Sequence, residues 1–293
     1  MEFKKYLIVA SKKDLAGVNI TTQLSQFRSN PLLSHLKEEP NFDFYLVEEE
    51  IIYTENLDLE KIKKYDFIIF ASKHKSEKKE KTLSIHAPGN WRRAFSRDSL
   101  TTKTSEGARE ADFGGEPKKI SKTSALFQKQ LFEKLNENAE EYNLKEYSVT
   151  LECTHHGPLI NKPCVFIEIG ATETEWNDRR AGFIVAKTIK DVLETFKENP
   201  YNEIAFGIGG PHYCPNFNKI QLKSNVALSH IIPQYALPLD EEMLKEALNK
   251  TEEEIDFAVL DWRGLGNAEQ RKQVTDLLDK FYVSYKKTSD IEK

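Results

Sequence analysis

The chain has 293 residues, 39% of them hydrophobic and 30% charged, so a globular protein with a sizeable core and a busy surface is expected. The net charge of −5 argues against nucleic acid coating the whole surface, and no window reaches the ~18 continuous apolar residues of a membrane span. Three widely spaced cysteines argue against a disulfide framework and for a reducing, cytoplasmic setting.

The opening MEFKKYLIVASKKD is basic, but its apolar run is short and lacks a small-residue cleavage site. It reads as a first strand, YLIVAS (6–11), and not as a signal peptide. A helix is expected from Asp14 to Phe27, then strands FDFYLV (42–47) and DFIIFAS (66–72). These continuous apolar runs suit strands covered on both faces. Residues 73–122 carry 13 Lys and Arg against 7 Asp and Glu, a surplus of six that leaves −11 on the rest. Such a segment either is a solvated lysine-rich arm or meets phosphates locally. Within it lies SIHAPGNWRR (84–93): His86 and Asn90 flank a Pro-Gly turn, and Trp91 precedes Arg92 and Arg93. An aromatic ring beside two guanidinium groups suits stacking of an unpaired base and clamping of a phosphate, although a core tryptophan is the plainer alternative. The polar stretch at about 97–121 has no periodicity and is expected to be a mobile loop.

A helix follows, with Leu126, Phe127, Leu131 and Leu135 on one stripe and Ser121 or Thr123 as its cap. Strands YSVTLEC (147–153) and CVFIEIG (164–170) precede a long helix, 174–198, capped by Thr172 or Thr174. Strand EIAFGI (203–208), strand NVALSHII (225–232), a helix over 240–250, strand FAVLDW (257–262) and a helix over 267–282 complete the chain. Strands alternating with helices predict an α/β fold with a mostly parallel sheet. No linker marks a boundary, so 1–293 reads as a single α/β unit with the basic segment 73–122 as an insertion or sub-domain.

Three polar clusters follow strands: Thr154–Pro158 with His155 and His156, Gly170–Glu173, and Gly209–Cys214. Ligands of open α/β sheets bind beyond the carboxyl ends of strands, so the clusters are expected to meet at one sheet edge. His212 and Cys214, two apart, would share one side of an extended loop and hold a metal with His155 and His156. No CxxC or HExxH signature supports that, and a metal-free histidine activating water fits as well. Gly209 and Gly210 offer backbone N–H groups to an anion or oxyanion; a tight turn is the plain alternative. GxGxxG, GxxxxGK[ST] and GxSxG are all absent, which disfavours a Rossmann dehydrogenase, a P-loop NTPase and a serine esterase of the α/β-hydrolase type.

The words SKHKSEKKEKTLSIHAPGNW, LECTHHGP, FIEIGATETEW and GIGGPHYCPNF together resemble the D-aminoacyl-tRNA deacylases of the archaeal and plant type, from the first strand to about residue 235. The resemblance implies hydrolysis of the ester joining a D-amino acid to the 3′ end of tRNA, a chiral proofreading activity. It also implies zinc, and a fold similar to peptidyl-tRNA hydrolases and nucleoside phosphorylases. For such a reaction His155 or His156, with His212, is expected to activate water, directly or through zinc, with Glu173 orienting a histidine or receiving the substrate ammonium. His86, Asn90, Trp91, Arg92, Arg93, Gly209 and Gly210 are expected to bind substrate, at the tRNA acceptor end. A monomer without an obligate protein partner is expected. The rival expectations are a peptidyl-tRNA hydrolase, a nucleoside phosphorylase and a tRNA-binding protein without activity.

Overall fold

The computed structural model describes residues 5–28, 42–55, 57, 59–76, 78–91, 113–197, 200–201 and 203–291. In chain order they form β1 (Tyr6–Ser11), α1 (Leu15–Arg28), β2 (Phe42–Val47), α2 (Leu59–Ile62), β3 (Phe67–Lys75), β4 (Thr82–His86), β5 (Gly89–Asn90), β6 (Lys119–Ile120) and α3 (Ala125–Glu141). Then come β7 (Ser148–Leu151), β8 (Cys164–Ala171), α4 (Glu173–Trp176), α5 (Arg179–Thr195), β9 (Glu203–Ile208), α6 (Pro215–Lys223) and β10 (Val226–Ile232). The chain ends with α7 (Glu241–Asn249), β11 (Phe257–Leu260), α8 (Ala268–Lys280), β12 (Tyr285–Lys287) and α9 (Thr288–Ile291). No helix among the described residues is long and apolar enough to cross a membrane.

The expected α/β architecture is present, as two main sheets and a small antiparallel β5-β6 ribbon. The first has the order β2-β1-β3-β8-β4-β7, and the second, β10-β9-β11-β12, is parallel throughout. In the first sheet β4 runs antiparallel to β8 and parallel to β7, so its last two strands point opposite to the other four. Helices α1, α3 and α5 cover one face of this sheet, where Ile8, Ala10, Ile69, Ile85 and Ile167 meet Ile20, Phe127 and Val185 in one buried cluster. On the other face Leu7, Val9, Ile68, Phe70, Cys164 and Phe166 form a second apolar cluster.

That second face changes character along its own strands. Side chains alternate between faces, so Ile68, Phe70, Ser72 and His74 of β3 line up on it, as do Cys164, Phe166, Glu168 and Gly170 of β8. Register continues the row: Ser72 pairs with Glu168, Glu168 with Ser84, Ser84 with Thr150, and Phe166 with His86. One sheet face is therefore apolar at one end and polar at the other.

Some local expectations are corrected. Ser124, not Ser121 or Thr123, caps α3, accepting from the Phe127 amide at 3.0 Å. Ser121 instead donates its hydroxyl to the Pro158 carbonyl and accepts from the Ile160 amide. The helix expected over 174–198 is broken at Asn177 and Asp178; Asp178 then caps α5 by accepting from the Arg180 amide. Strand β4 and helix α6 are present where none was expected.

Candidate active site

The polar end of the sheet face carries the site. His74 Nδ1 lies 3.1 Å from Glu152 Oε1 and 3.7 Å from Glu168 Oε2. His86 Nε2 lies 3.6 Å from Glu168 Oε2. Glu152 Oε2 accepts from His212 Nε2 at 3.0 Å and is 3.4 Å from His155 Nε2. The Ser72 hydroxyl donates to Glu168 Oε1 at 2.5 Å. Gly170 leaves room for His74: a Cβ on it would lie 2.8 Å from His74 Cδ2. The second sheet reaches the same point through its loops, because the Cys153 amide donates to the His212 carbonyl and the Thr154 amide to the Ile231 carbonyl. Five imidazoles and two carboxyls thus converge from β3, β4, β8 and the segments after β7 and β9.

Three of the imidazoles share a further feature. The Nδ1 atoms of His86, His155 and His156 lie 3.1, 2.8 and 2.7 Å from the carbonyls of Ala87, Cys153 and Gly157. A carbonyl only accepts, so each Nδ1 carries the hydrogen and each Nε2 keeps its lone pair. The rings are adjacent: His86 and His155 centroids are 4.2 Å apart, His155 and His156 4.4 Å. One ligand atom from each of the three lies within 4.8 Å of the others. Burial holds His86 and His156 down to about 4 and pushes His155 well below its ordinary value, with the neighbouring imidazoles adding to the effect. All three are therefore neutral donors.

The two carboxyls are driven apart. Burial, then the charge of Glu152, pushes Glu168 up to about 7. Burial would raise Glu152 too, but the hydrogen bond from His212 and the charge of His74 outweigh it and hold Glu152 down at about 2. Burial likewise opposes the charge on His212, and the hydrogen bonds to Cys153 and Glu152 overcome it, raising His212 to about 10. His86 Nε2, Glu152 Oε1, Glu168 Oε2 and the hydroxyls of Thr82 and Ser84 are buried without a hydrogen-bond partner among the described residues. His74 is near Glu152 Oε1, yet its ring is not aimed along a hydrogen bond.

A cavity of about 800 Å³ opens onto this centre. Its wall includes His74, His155, His156, Glu168 and His212, with Ile51, Ile52, Phe113 and Ala236 as an apolar flank and Asp14, Glu50 and Lys73 as a charged one. Tyr235 (60% exposed) and Phe113 (52% exposed) are the open aromatic rings at its lining.

The expected residues fare differently. His155, His156 and His212 meet, with His86 beneath them. Asn90 lines the cavity and donates its side-chain amide to the Gly114 carbonyl at 2.6 Å. Trp91 also lines it but is no open platform: it is 3% exposed and gives its indole N–H to the Ile231 carbonyl. Arg92 and Arg93 lie outside the described residues, as does most of the polar stretch 97–121. Glu173 is exposed on the first turn of α4 and does not line the cavity. Gly209 and Gly210 form a left-handed turn (φ 94° and 83°) packed on residues 261–265; the Gly209 amide is spent on the Ile232 carbonyl, so it has nothing to offer an oxyanion. The Cys214 thiol does not join the donor atoms gathered at the His212 imidazole. Residues 211–214 form a turn instead of an extended loop, and Cys214 caps α6 at φ 51° with its thiol buried against the carbonyls of Pro211 and His212. Cys153 takes that place, 3.4 Å from His212 Nδ1. The strand-end clusters around His155–His156 and His212 meet as expected, and they do so against the polar end of a sheet face, from which His74, His86 and Glu168 complete the centre. His74, Glu152 and Glu168 were missed; a glutamate inside the apolar run CVFIEIG was the available signal.

Fold and site together define a mixed α/β protein with a buried histidine–carboxylate centre facing an open cavity. The chain belongs to the D-aminoacyl-tRNA deacylase family, whose model matches residues 61–285. The D-aminoacyl-tRNA deacylase of Methanocaldococcus jannaschii is 31% identical over 277 residues, covering 92% of this chain and 94% of that protein. That of Pyrococcus furiosus is 33% identical over 290 residues, covering 95% and 98%. A crystal structure of a conserved protein of unknown function superposes with a TM-score of 0.80 at 28% identity, over 100% of this chain and 98% of that one. The likeness thus extends past residue 235, into the strands that complete the second sheet.

Proposed function

We infer that this chain hydrolyses the ester between a D-amino acid and the 3′ end of tRNA, releasing both. The observation that carries the reading within the family is the convergence of His74, His155, His156, His212 and Glu168 on one cavity wall, with His86 and Glu152 buried directly behind them. Water attacks the ester carbonyl. Its proton goes to Glu168, whose Oε2 has no hydrogen-bond partner among the described residues and whose affinity for a proton lies near neutrality, as a general base requires; the bond from the acyl carbon to the tRNA 3′ oxygen then breaks, and that oxygen takes the proton back from Glu168. His212, held charged by Glu152, lies at the cavity wall and favours the developing negative charge in the place expected of the Gly209–Gly210 amides. Asp14 and Glu50, in the place expected of Glu173, are the carboxyls of the cavity that a substrate ammonium would meet, Glu50 sharing its charge with Lys73 at 2.9 Å.

Zinc fits the residues present. His86, His155 and His156 each offer a neutral Nε2, with Nδ1 tied to a carbonyl in the manner that orients metal-binding imidazoles, and His86 Nε2 is an orphaned buried donor. These three would hold it. When bound it would acidify a water or polarise the ester carbonyl.

The test is a time course on D-Tyr-tRNA and L-Tyr-tRNA with and without a chelator. Release of D-tyrosine with L-Tyr-tRNA spared is expected, and the chelator should stop it. If D-Tyr-tRNA stays charged, the activity is wrong; if the chelator has no effect, the metal is.

A further inference from the structure

A second cavity, of about 740 Å³, lies on the other side of the same two histidines. His74, Lys75 and His212 line both cavities, and Glu152 lies between the two histidines, 3.1 Å from one ring and 3.0 Å from the other. The substrate of the proposed reaction has two halves of opposite chemistry joined at the reacting bond. One half is a small acyl group with an ammonium; the other is a polyanion. The bond must lie where the two cavities meet.

The linings match the halves. The first cavity has an apolar flank and the carboxylates of Asp14 and Glu50, with Lys73, which is paired with Glu50, and Lys75 also in its lining. The second is lined by Lys75, Lys78, Ser76, Ser148, Tyr213 and Asn218, with no carboxylate among its lining residues. Nearby lysines are already committed: Lys73 to Glu50 at 2.9 Å and Lys81 to Glu175 at 3.5 Å. Lys75 and Lys78 are exposed and, among the described residues, have no carboxylate within ion-pair distance. Two free ammonium groups beside a phenol and polar side chains suit a sugar–phosphate chain. Tyr213 also ties this cavity to the centre, its hydroxyl lying 2.9 Å from His74 Nε2.

The geometry points to the Lys75–Lys78–Tyr213 cavity as the groove for the phosphates of the single-stranded 3′ end of tRNA, with the first cavity kept for the aminoacyl group. This assignment rests on the deacylase reading, and the test separates the two. Wild type and the Lys75→Ala/Lys78→Ala double variant are compared on three probes: D-Tyr-tRNA, D-tyrosyl-adenosine, which lacks phosphates, and an uncharged RNA oligonucleotide ending in CCA.

The double variant should raise KM for D-Tyr-tRNA at least tenfold with kcat little changed. It should weaken the oligonucleotide equally and flatten the log–log salt dependence of that binding by about 1.4, since each single-strand phosphate that a lysine neutralises adds ~0.7 to the slope. KM for D-tyrosyl-adenosine should move less than twofold. Lys272→Ala, removing a lysine already paired with Asp276 on α8, should change none of these. Unchanged oligonucleotide binding and salt slope would overturn the groove, and so would an equal loss on D-tyrosyl-adenosine, which would place the acyl-adenosine itself there. A wild type that binds the oligonucleotide with the expected slope yet hydrolyses neither ester would sink the deacylase reading and leave the groove standing.

Discussion

Glu152 and Glu168 share one sheet face, and removing each has a different consequence. Glu168→Gln takes away the proton acceptor while keeping the shape and the hydrogen bond from Ser72. We expect kcat to fall 10²–10⁴-fold with the urea midpoint unchanged or higher, read by single-turnover deacylation and a denaturation curve. Glu152→Gln leaves the half-buried positive charge of His212 without its counter-ion. There we expect a loss of about 1.5–3 kcal/mol in urea unfolding, the worth of a hydrogen bond to a charged group, as well as lost turnover. His212→Ala should fold and should lose most turnover; if turnover persists, His212 only joins the sheets. The loop histidines were legible in the sequence because Thr-His-His-Gly-Pro and Pro-His-Tyr-Cys-Pro are wasteful as turns. His74, Glu152 and Glu168 were hidden because they sit inside strands or at their ends. There the apolar neighbours that pack the opposite face dominate the local pattern, and the step from Ile68 and Phe70 to Ser72 and His74 shows only once alternate residues are read as a row.

At the scale of elements, the break between α4 and α5 is held from outside. Asn19 of α1 donates its side-chain amide to the carbonyls of Trp176 and Asp178, at 3.1 and 2.9 Å. Gly182 of α5 gives it room, since a Cβ there would lie 2.2 Å from Asn19 Oδ1. Asn19→Ala should therefore cost about 1–3 kcal/mol by leaving two carbonyls unpaired, and Gly182→Ala should cost a similar amount by displacing the same side chain. In the double variant the losses should fall short of additive, because both act through one contact; thermal or urea melts of the three variants test this. Periodicity predicted one helix here since the apolar stripe continues into α5, and a two-residue polar break is too short to interrupt it. Strand β4 was missed for the opposite reason. TLSIH is short, follows a lysine-rich stretch and pairs antiparallel to its neighbour β8, which a pattern of alternating strands and helices does not anticipate.

For the whole molecule, the site joins two sheets. A metal held by His86, His155 and His156 would bind only the folded chain, so it would stabilise the whole by mass action, about 2.7 kcal/mol at a hundredfold excess over Kd. Added zinc should raise the melting temperature of chelator-treated protein, and His86→Ala should abolish that rise; a zinc-independent melting temperature in wild type would refute it. The polar end of the sheet face has a longer consequence. Among the described residues the buried hydroxyls of Thr82 and Ser84 have no partner, and neither has Oε2 of the neighbouring Glu168, in a layer whose other half is plain hydrocarbon. Each such group costs about 1–3 kcal/mol that a methyl would not. Heat tolerance and turnover should therefore pull against each other along these strands. A lineage freed from its substrate would be expected to drift toward alanine, valine and leucine at positions 82, 84 and 168, becoming hardier as it falls silent.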